Sequence, residues 1–181
     1  MTVPPEPAPA ETLLSTDQLR QRVTELGARI GADYAGLDPV LIGVLKGAFV
    51  FMADLVRAIP IPVEIDFMAV SSYGSATRSS GIVRIVKDLD LDLAGRHVLL
   101  VEDIVDSGLT LSYLRKNLLA RNPASLGVCA LLVRDELVID ESDLTYVGFR
   151  IPPQWVVGYG LDAGERYRNL REVRSFTGAA G

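Results

Sequence analysis

The chain has 181 residues, enough for one domain with a substantial core, and its 49% hydrophobic and 23% charged residues are those of an ordinary globular protein. A formal net charge of −5 argues against broad nucleic-acid binding, which needs a basic footprint, whereas a phosphate ligand needs only local donors. The one cysteine, Cys129 in the apolar run GVCALLV, excludes an intrachain disulfide and reads as a small core residue.

Residues 1–11, MTVPPEPAPAE, are rich in proline and alanine and read as a disordered tail. They lack the basic and apolar regions of a secretory signal, and the longest apolar stretch, 40–56, is interrupted by Lys46 and Asp54. A cytoplasmic location with no membrane contact is therefore expected. Ser15 and Gln18 fit a capping box, and Leu19, Val23, Leu26 and Ile30 form one face of a first helix. Residues 40–45, VLIGVL, read as a buried strand, followed by a tight turn at Lys46-Gly47 and a helix over about 48–58 that Pro60 and Pro62 stop. The next strand is 63–70, VEIDFMAV. Residues 71–81, SSYGSATRSSG, are small and polar, as in a mobile loop, and 82–86 return as a strand. An acidic connection over 88–95 leads to 98–101, VLLV, a short apolar run typical of a central parallel strand. Glu102 and Asp103 end that strand, residues 106–110 (DSGLT) turn the chain, and Leu111, Leu114, Leu118 and Leu119 make the stripe of a helix. Residues 126–133 are another buried strand. Short strands at 146–149 and 155–158 flank Ile151-Pro152-Pro153, and 161–170 (LDAGERYRNL) is a polar loop.

Strands alternating with helices predict a parallel, doubly wound α/β sheet whose ligand crevice lies beyond the carboxyl ends of the strands. Two strand–turn–helix units reach that edge, at Lys46-Gly47 and at 102–110. A helix N-terminus offers unpaired N–H groups and a positive dipole end, which suits a phosphate. Gly108 lets the backbone approach a ligand, and Ser107 and Thr110 add hydroxyl donors. The neighbouring carboxylates can accept from ribose hydroxyls or help hold magnesium on a substrate phosphate. Successive strand side chains point to opposite faces, so Glu102 and Asp103 differ in role unless the strand has already ended. Alone, such an acidic pair reads as a solvated turn; the DSGLT turn makes it a ligand site. The lysine of a Walker turn and the three glycines of a dinucleotide fingerprint are both missing.

The segment VEDIVDSGLT resembles the phosphoribosyl pyrophosphate motif of the type I phosphoribosyltransferases. The wider pattern, LIGVLKGAFVFMADL, IDFMAVSSYGS, VRIVKDLD, YVGFRIP and VVGYGLD, is similar to the bacterial hypoxanthine phosphoribosyltransferases, over about residues 13–173. The resemblance implies the type I fold: a central mostly parallel sheet flanked by helices, with a small hood subdomain over the base site. One domain would cover 12–175, followed by a C-terminal tail, 176–181. The implied reaction is purine salvage: a 6-oxopurine, hypoxanthine and guanine, takes the phosphoribosyl group of magnesium-bound phosphoribosyl pyrophosphate, giving IMP or GMP plus pyrophosphate. A xanthine- or guanine-preferring enzyme is one alternative. A regulatory protein of the same fold that binds nucleic acid is another, which the charge disfavours.

The resemblance also assigns roles. Asp106, Ser107, Gly108, Leu109 and Thr110 would cradle the sugar phosphate, and Asp106 would exchange a proton with the purine imidazole ring. Glu102 and Asp103 would face the ribose hydroxyls and Mg2+. Lys46, Gly47 and Arg168 would bind pyrophosphate, next to a Leu45–Lys46 peptide that can be cis. Ser72 and Tyr73 would tip a catalytic lid that excludes water. Trp155 would stack on the purine, the Val156 backbone would read its edge, and Asp162 would bind beside the base and a second magnesium. The purine's 6-oxo oxygen, usually met by a lysine, would meet Arg134, which differs in reach and geometry and bears on base preference. Homodimers or homotetramers are usual in the family.

Overall fold

The computed structural model describes residues 8–72, 83–136 and 144–177. Strand β1 spans Ala8–Leu14 and leads into helix α1, Thr16–Asp33. Ser15 caps that helix as expected: Gln18 N donates to Ser15 Oγ, and Ser15 N donates back to the Gln18 side chain. Strand β2, Val40–Leu45, feeds α2, Phe49–Ala58. Strands β3, Glu64–Ser72, and β4, Val83–Lys87, follow. Strand β5, His97–Val105, then feeds α3, Leu109–Leu119. The chain ends through β6, Ser125–Arg134, β7, Tyr146–Ile151, β8, Val156–Val157, and β9, Val173–Thr177.

Six strands form the main sheet in the order β4-β3-β2-β5-β6-β7. All pairings are parallel except β3 with β4. The alternation of strand side chains divides the core into two layers. Leu41, Leu99, Val101, Cys129 and Leu131 pack with α1 and α2, against Leu19, Val23, Leu26, Ile30, Phe51 and Leu55. Val40, Ile42, Val98, Leu100, Val128 and Ala130 pack with α3 through Leu111, Leu114 and Leu118. Each such fully buried leucine contributes about 1.5–3 kcal/mol relative to an exposed one. Strands buried on both faces are continuously apolar, which is why 98–101 and 126–133 stand out in the sequence. Leu119, expected on the α3 stripe, is half exposed.

A second, three-stranded antiparallel sheet, β1-β9-β8, makes the hood. Here the structure corrects the expected boundaries. Residues 8–11 are not tail but the first half of β1, and Phe176 and Thr177 belong to β9 rather than to a C-terminal tail. Ala8 pairs with Thr177 and Pro9 with Phe176, with irregular register between Pro9 and Thr12. A proline is tolerated there because β1 is an edge strand, whose N–H groups on one side need no ladder partner. The rest of both expected tails lies outside the described residues. No helix among the described residues is long and apolar enough to cross a membrane.

Candidate active site

Strand β5 does not stop at Glu102 but runs to Val105, so Glu102 and Asp103 are successive strand residues that face opposite ways. Their surroundings differ accordingly. Glu102 is buried on the wall of a cavity of about 170 Å³ that it shares with Asp106, Ser107, Gly108 and Thr110. Asp103 lines a second cavity of about 220 Å³, with Arg134, Trp155, Val156 and Asp162. Ile104 and Asp106 border both. The acidic pair therefore divides a compound site into two compartments.

The first compartment is built on a helix start. Gly108, the residue before α3, has φ +74°, a conformation side-chain-bearing residues rarely adopt, and it supplies no capping side chain. The first turn of α3 carries no acidic residue, so its N–H groups and dipole remain available to an anion. Ser107 Oγ lies 3.5 Å from Leu109 N, too long to close that end firmly. Leu109 itself opens α3 and is half exposed.

The second compartment sits between the main sheet and the hood. Arg134, the last residue of β6, donates from Nε to Asp106 Oδ1 at 2.8 Å. Its Nη1 donates to the Pro152 and Gln154 carbonyls at 3.0 and 2.6 Å. Arg134 thus fastens the phosphate turn to the hood turn. Trp155 is 44% exposed, large for a tryptophan with no solvent function. Val156 is buried in β8, where it pairs with Ser175.

Close backbone approaches join the Lys46-Gly47 turn to both walls. The Leu45–Lys46 peptide is cis. A Cβ on Gly47 would lie 1.6 Å from Asp103 Oδ2, and a Cβ on Gly160 2.2 Å from the Gly47 carbonyl oxygen. At Gly160, where the neighbour is backbone and φ is +102°, only glycine fits; at Gly47 a side chain would displace the Asp103 carboxylate. Arg168 Nη1 donates to the Gly160 carbonyl at 2.8 Å, and Arg168 Nη2 pairs with Asp162 Oδ1 at 2.8 Å. Its Nε is buried with no hydrogen-bond partner among the described residues.

The carboxylates fit a divalent cation. Burial, with the neighbouring charge of Asp103, pushes Glu102 well above the usual carboxylate range. Burial also raises Asp103, against the pull of backbone N–H donors and Arg168, and the nearby Asp162 charge raises it further. Each is a desolvated oxygen donor in its own compartment, and a hard cation beside either would restore its charge. No group of three or more His, Cys, Asp or Glu among the described residues is arranged to hold a metal alone.

The expected site residues Lys46, Gly47, Glu102, Asp103, Asp106, Ser107, Gly108, Leu109, Thr110, Arg134, Trp155, Val156, Asp162 and Arg168 gather at this carboxyl edge of the sheet. Ser72 is the last residue of β3, and Tyr73 lies outside the described residues. His97 stands at the start of β5, away from Glu102, with its Nδ1 2.8 Å from Ser125 Oγ. Sequence reasoning missed Ile104, Gly160 and Glu165. The glycines of VVGYGLD were a readable signal for Gly160; nothing local marks Glu165. A larger cavity of about 400 Å³ between α1 and α2, bordered by Thr16, Asp54 and Tyr159, lies apart from these groups.

Comparisons with known proteins bear on the family. The family model described as the phosphoribosyl transferase domain matches residues 9–163. A hypoxanthine-guanine phosphoribosyltransferase of Mycobacterium bovis is 58% identical over 89% of this chain and 83% of its own. That of Bacillus subtilis is 48% identical over 88% and 89%. A crystal structure of a hypoxanthine-guanine phosphoribosyltransferase from Bacillus anthracis, with a HEPES molecule in the active site, superposes with a TM-score of 0.87 at 45% identity, covering 93% of this chain and 99% of that one. A family model that matches most of the chain, with identity and structural similarity at this level, leaves one assignment: the chain belongs to the phosphoribosyl transferase family.

Proposed function

We propose that the protein transfers the phosphoribosyl group of phosphoribosyl pyrophosphate to a 6-oxopurine, hypoxanthine and guanine, releasing pyrophosphate. The observation that carries this reading is the pair of cavities that meet at Ile104 and Asp106. One suits a sugar phosphate on a helix start and the other a flat aromatic base beside Trp155. Their common border is where a bond between sugar and base would form.

In this reading the first turn of α3, with Ser107 and Thr110, binds the 5-phosphate and fixes the sugar. Glu102 and Asp103 orient the ribose hydroxyls and through them would help hold magnesium, and Asp162 would help hold a second magnesium. Bound there, magnesium would neutralise charge on the diphosphate leaving group. Lys46, Gly47 and Arg168 receive that diphosphate, the two cationic side chains pairing with its oxygens. The sugar carbon acquires oxocarbenium character, as in glycosyl transfer generally. Asp106 accepts or returns the proton on the purine imidazole ring. Trp155 packs on the base, the Val156 backbone meets its edge, and Arg134 faces its 6-oxo oxygen. By the family resemblance, Ser72 and Tyr73 keep water from the cationic carbon.

The test is an assay of the purified protein with phosphoribosyl pyrophosphate, magnesium and each of hypoxanthine, guanine, xanthine and adenine. IMP and GMP should form, with adenine inert. Well-folded protein that makes no nucleotide from any base would sink the reading.

A further inference from the structure

Glu165 has no role in the reaction as described, yet it sits among the groups that would hold pyrophosphate. Its Oε2 pairs with Lys46 Nζ at 2.8 Å and its Oε1 with Arg168 Nη2 at 3.1 Å. One carboxylate thus bridges the two cations of the pyrophosphate turn, which lie 122 residues apart in the chain (168 minus 46). Its placement is costly for the backbone. Ala163 and Arg166 exchange both backbone hydrogen bonds at 3.2 Å, closing a two-residue turn over Gly164 and Glu165. Both central residues have positive φ, +59° and +64°. Such turns favour Gly and Asn, and a glutamate in that region is an outlier that calls for a compensating interaction. The Glu165 N–H donates to Asp162 Oδ2 at 2.8 Å, which anchors the turn to the carboxylate beneath it.

We propose that Glu165 is a resident anion of the pyrophosphate subsite, occupying Lys46 and Arg168 until the diphosphate of the substrate displaces it. This rests on the reading above, in which those two cations bind pyrophosphate. Without it Lys46 would lose this counter-charge and Arg168 would keep only Asp162, so a small anion would be attracted to the point between them. With it, a ligand must outcompete a carboxylate that is already tethered. A diphosphate brings more charge and more oxygens than one carboxylate and wins; a single phosphate gains much less. The same carboxylate returns to its partners as the product leaves, so it favours release. Glu165 therefore tunes affinity for the leaving group and selects diphosphate over monophosphate at this subsite.

The experiment measures binding of inorganic pyrophosphate with magnesium by calorimetry, in wild-type protein, Glu165→Gln and Glu165→Asn. Glutamine keeps the length without the charge; asparagine suits positive φ and is too short to bridge, so a folded variant is assured by one route or the other. Both should bind pyrophosphate about two- to tenfold more tightly, the scale of losing two exposed competing ion pairs. KM for phosphoribosyl pyrophosphate should fall in step, and KM for the purine should stay level, which a merely structural role would not produce. Glu172→Gln, which removes an equal charge from the separate pair with Arg174, should leave pyrophosphate affinity unchanged. Wild-type protein that binds pyrophosphate while both Glu165 variants bind it no more tightly overturns this proposal alone. Equal tightening by Glu172→Gln also overturns it, since general charge would then explain the effect. Wild-type protein that binds no pyrophosphate overturns the proposal and the functional reading together.

Discussion

Arg134 holds three acceptors with one guanidinium: a carboxylate on the phosphate turn and two carbonyls on the hood. A lysine ammonium is a point donor on a flexible stem and cannot hold that fork. In Arg134→Lys the KM for hypoxanthine or guanine should therefore shift by about tenfold, the scale of one charge-assisted hydrogen bond, and the ratio between the two bases should change. KM for phosphoribosyl pyrophosphate should move less. Steady-state kinetics with each base decides it; a change confined to phosphoribosyl pyrophosphate would remove Arg134 from the base site. At this scale the sequence was informative where chemistry is local. The turn DSGLT and the alternation of Glu102 and Asp103 are properties of adjacent residues, and their compartments follow from strand period alone. Contacts that join distant segments left no such trace. Arg134 meets Gln154 across 20 residues and Lys46 meets Glu165 across 119.

Strand β3 carries a second buried acid, Asp66, which ties the sheet to the connection after β4. Its carboxylate accepts from the backbone N–H groups of Phe67, Asp90 and Leu91, at 2.7, 2.8 and 3.0 Å, and lies 3.7 Å from Lys87 Nζ. Burial pushes this carboxyl up, but the three N–H donors and Lys87 outweigh it and hold it below the ordinary value of 3.8. A depressed folded-state value means the unfolded chain binds the proton more readily. The stabilisation is therefore complete above the unfolded value near 3.8 and fades as pH falls through the lower folded value. Urea unfolding from pH 7 to pH 2 should show this loss in the wild type and a flatter profile in Asp66→Asn. That variant should be less stable by about 1–3 kcal/mol at pH 7, because its amide cannot replace a carboxylate receiving three donors. Identical pH profiles would rule Asp66 out. Elements buried on both faces were the readable ones, since continuous apolar runs such as 98–101 have one interpretation beside helical patterns. β1 is hidden from a local reading because proline-rich composition outweighs strand propensity, and edge strands are where proline is permitted.

Among the described residues the first strand pairs with the last. β1 and β9 pair across more than 150 residues, with Leu14 opposite Val173, and Trp155 leads into β8 beside them. No periodicity announces a pairing between the first and last strands, so the hood followed only from the family resemblance, and its boundaries only from the structure. Its support of the base site is testable by removing residues 1–14. β9 would then keep only β8 as a partner, and the hood wall of the base cavity would loosen. KM for the purine should rise about ten- to a hundredfold, as misplacement by an ångström commonly costs, while KM for phosphoribosyl pyrophosphate changes less. Far-UV circular dichroism should still report the main sheet; an unchanged purine KM would detach the terminal strands from base binding. That same hood presents the chain's one tryptophan, half exposed on the wall of the cavity proposed to take the base. Its ultraviolet emission therefore originates from a single place, free of background from other indoles. A base laid against that ring would dim or shift the glow, so the protein carries its own optical gauge of occupancy, readable in a cuvette without a label.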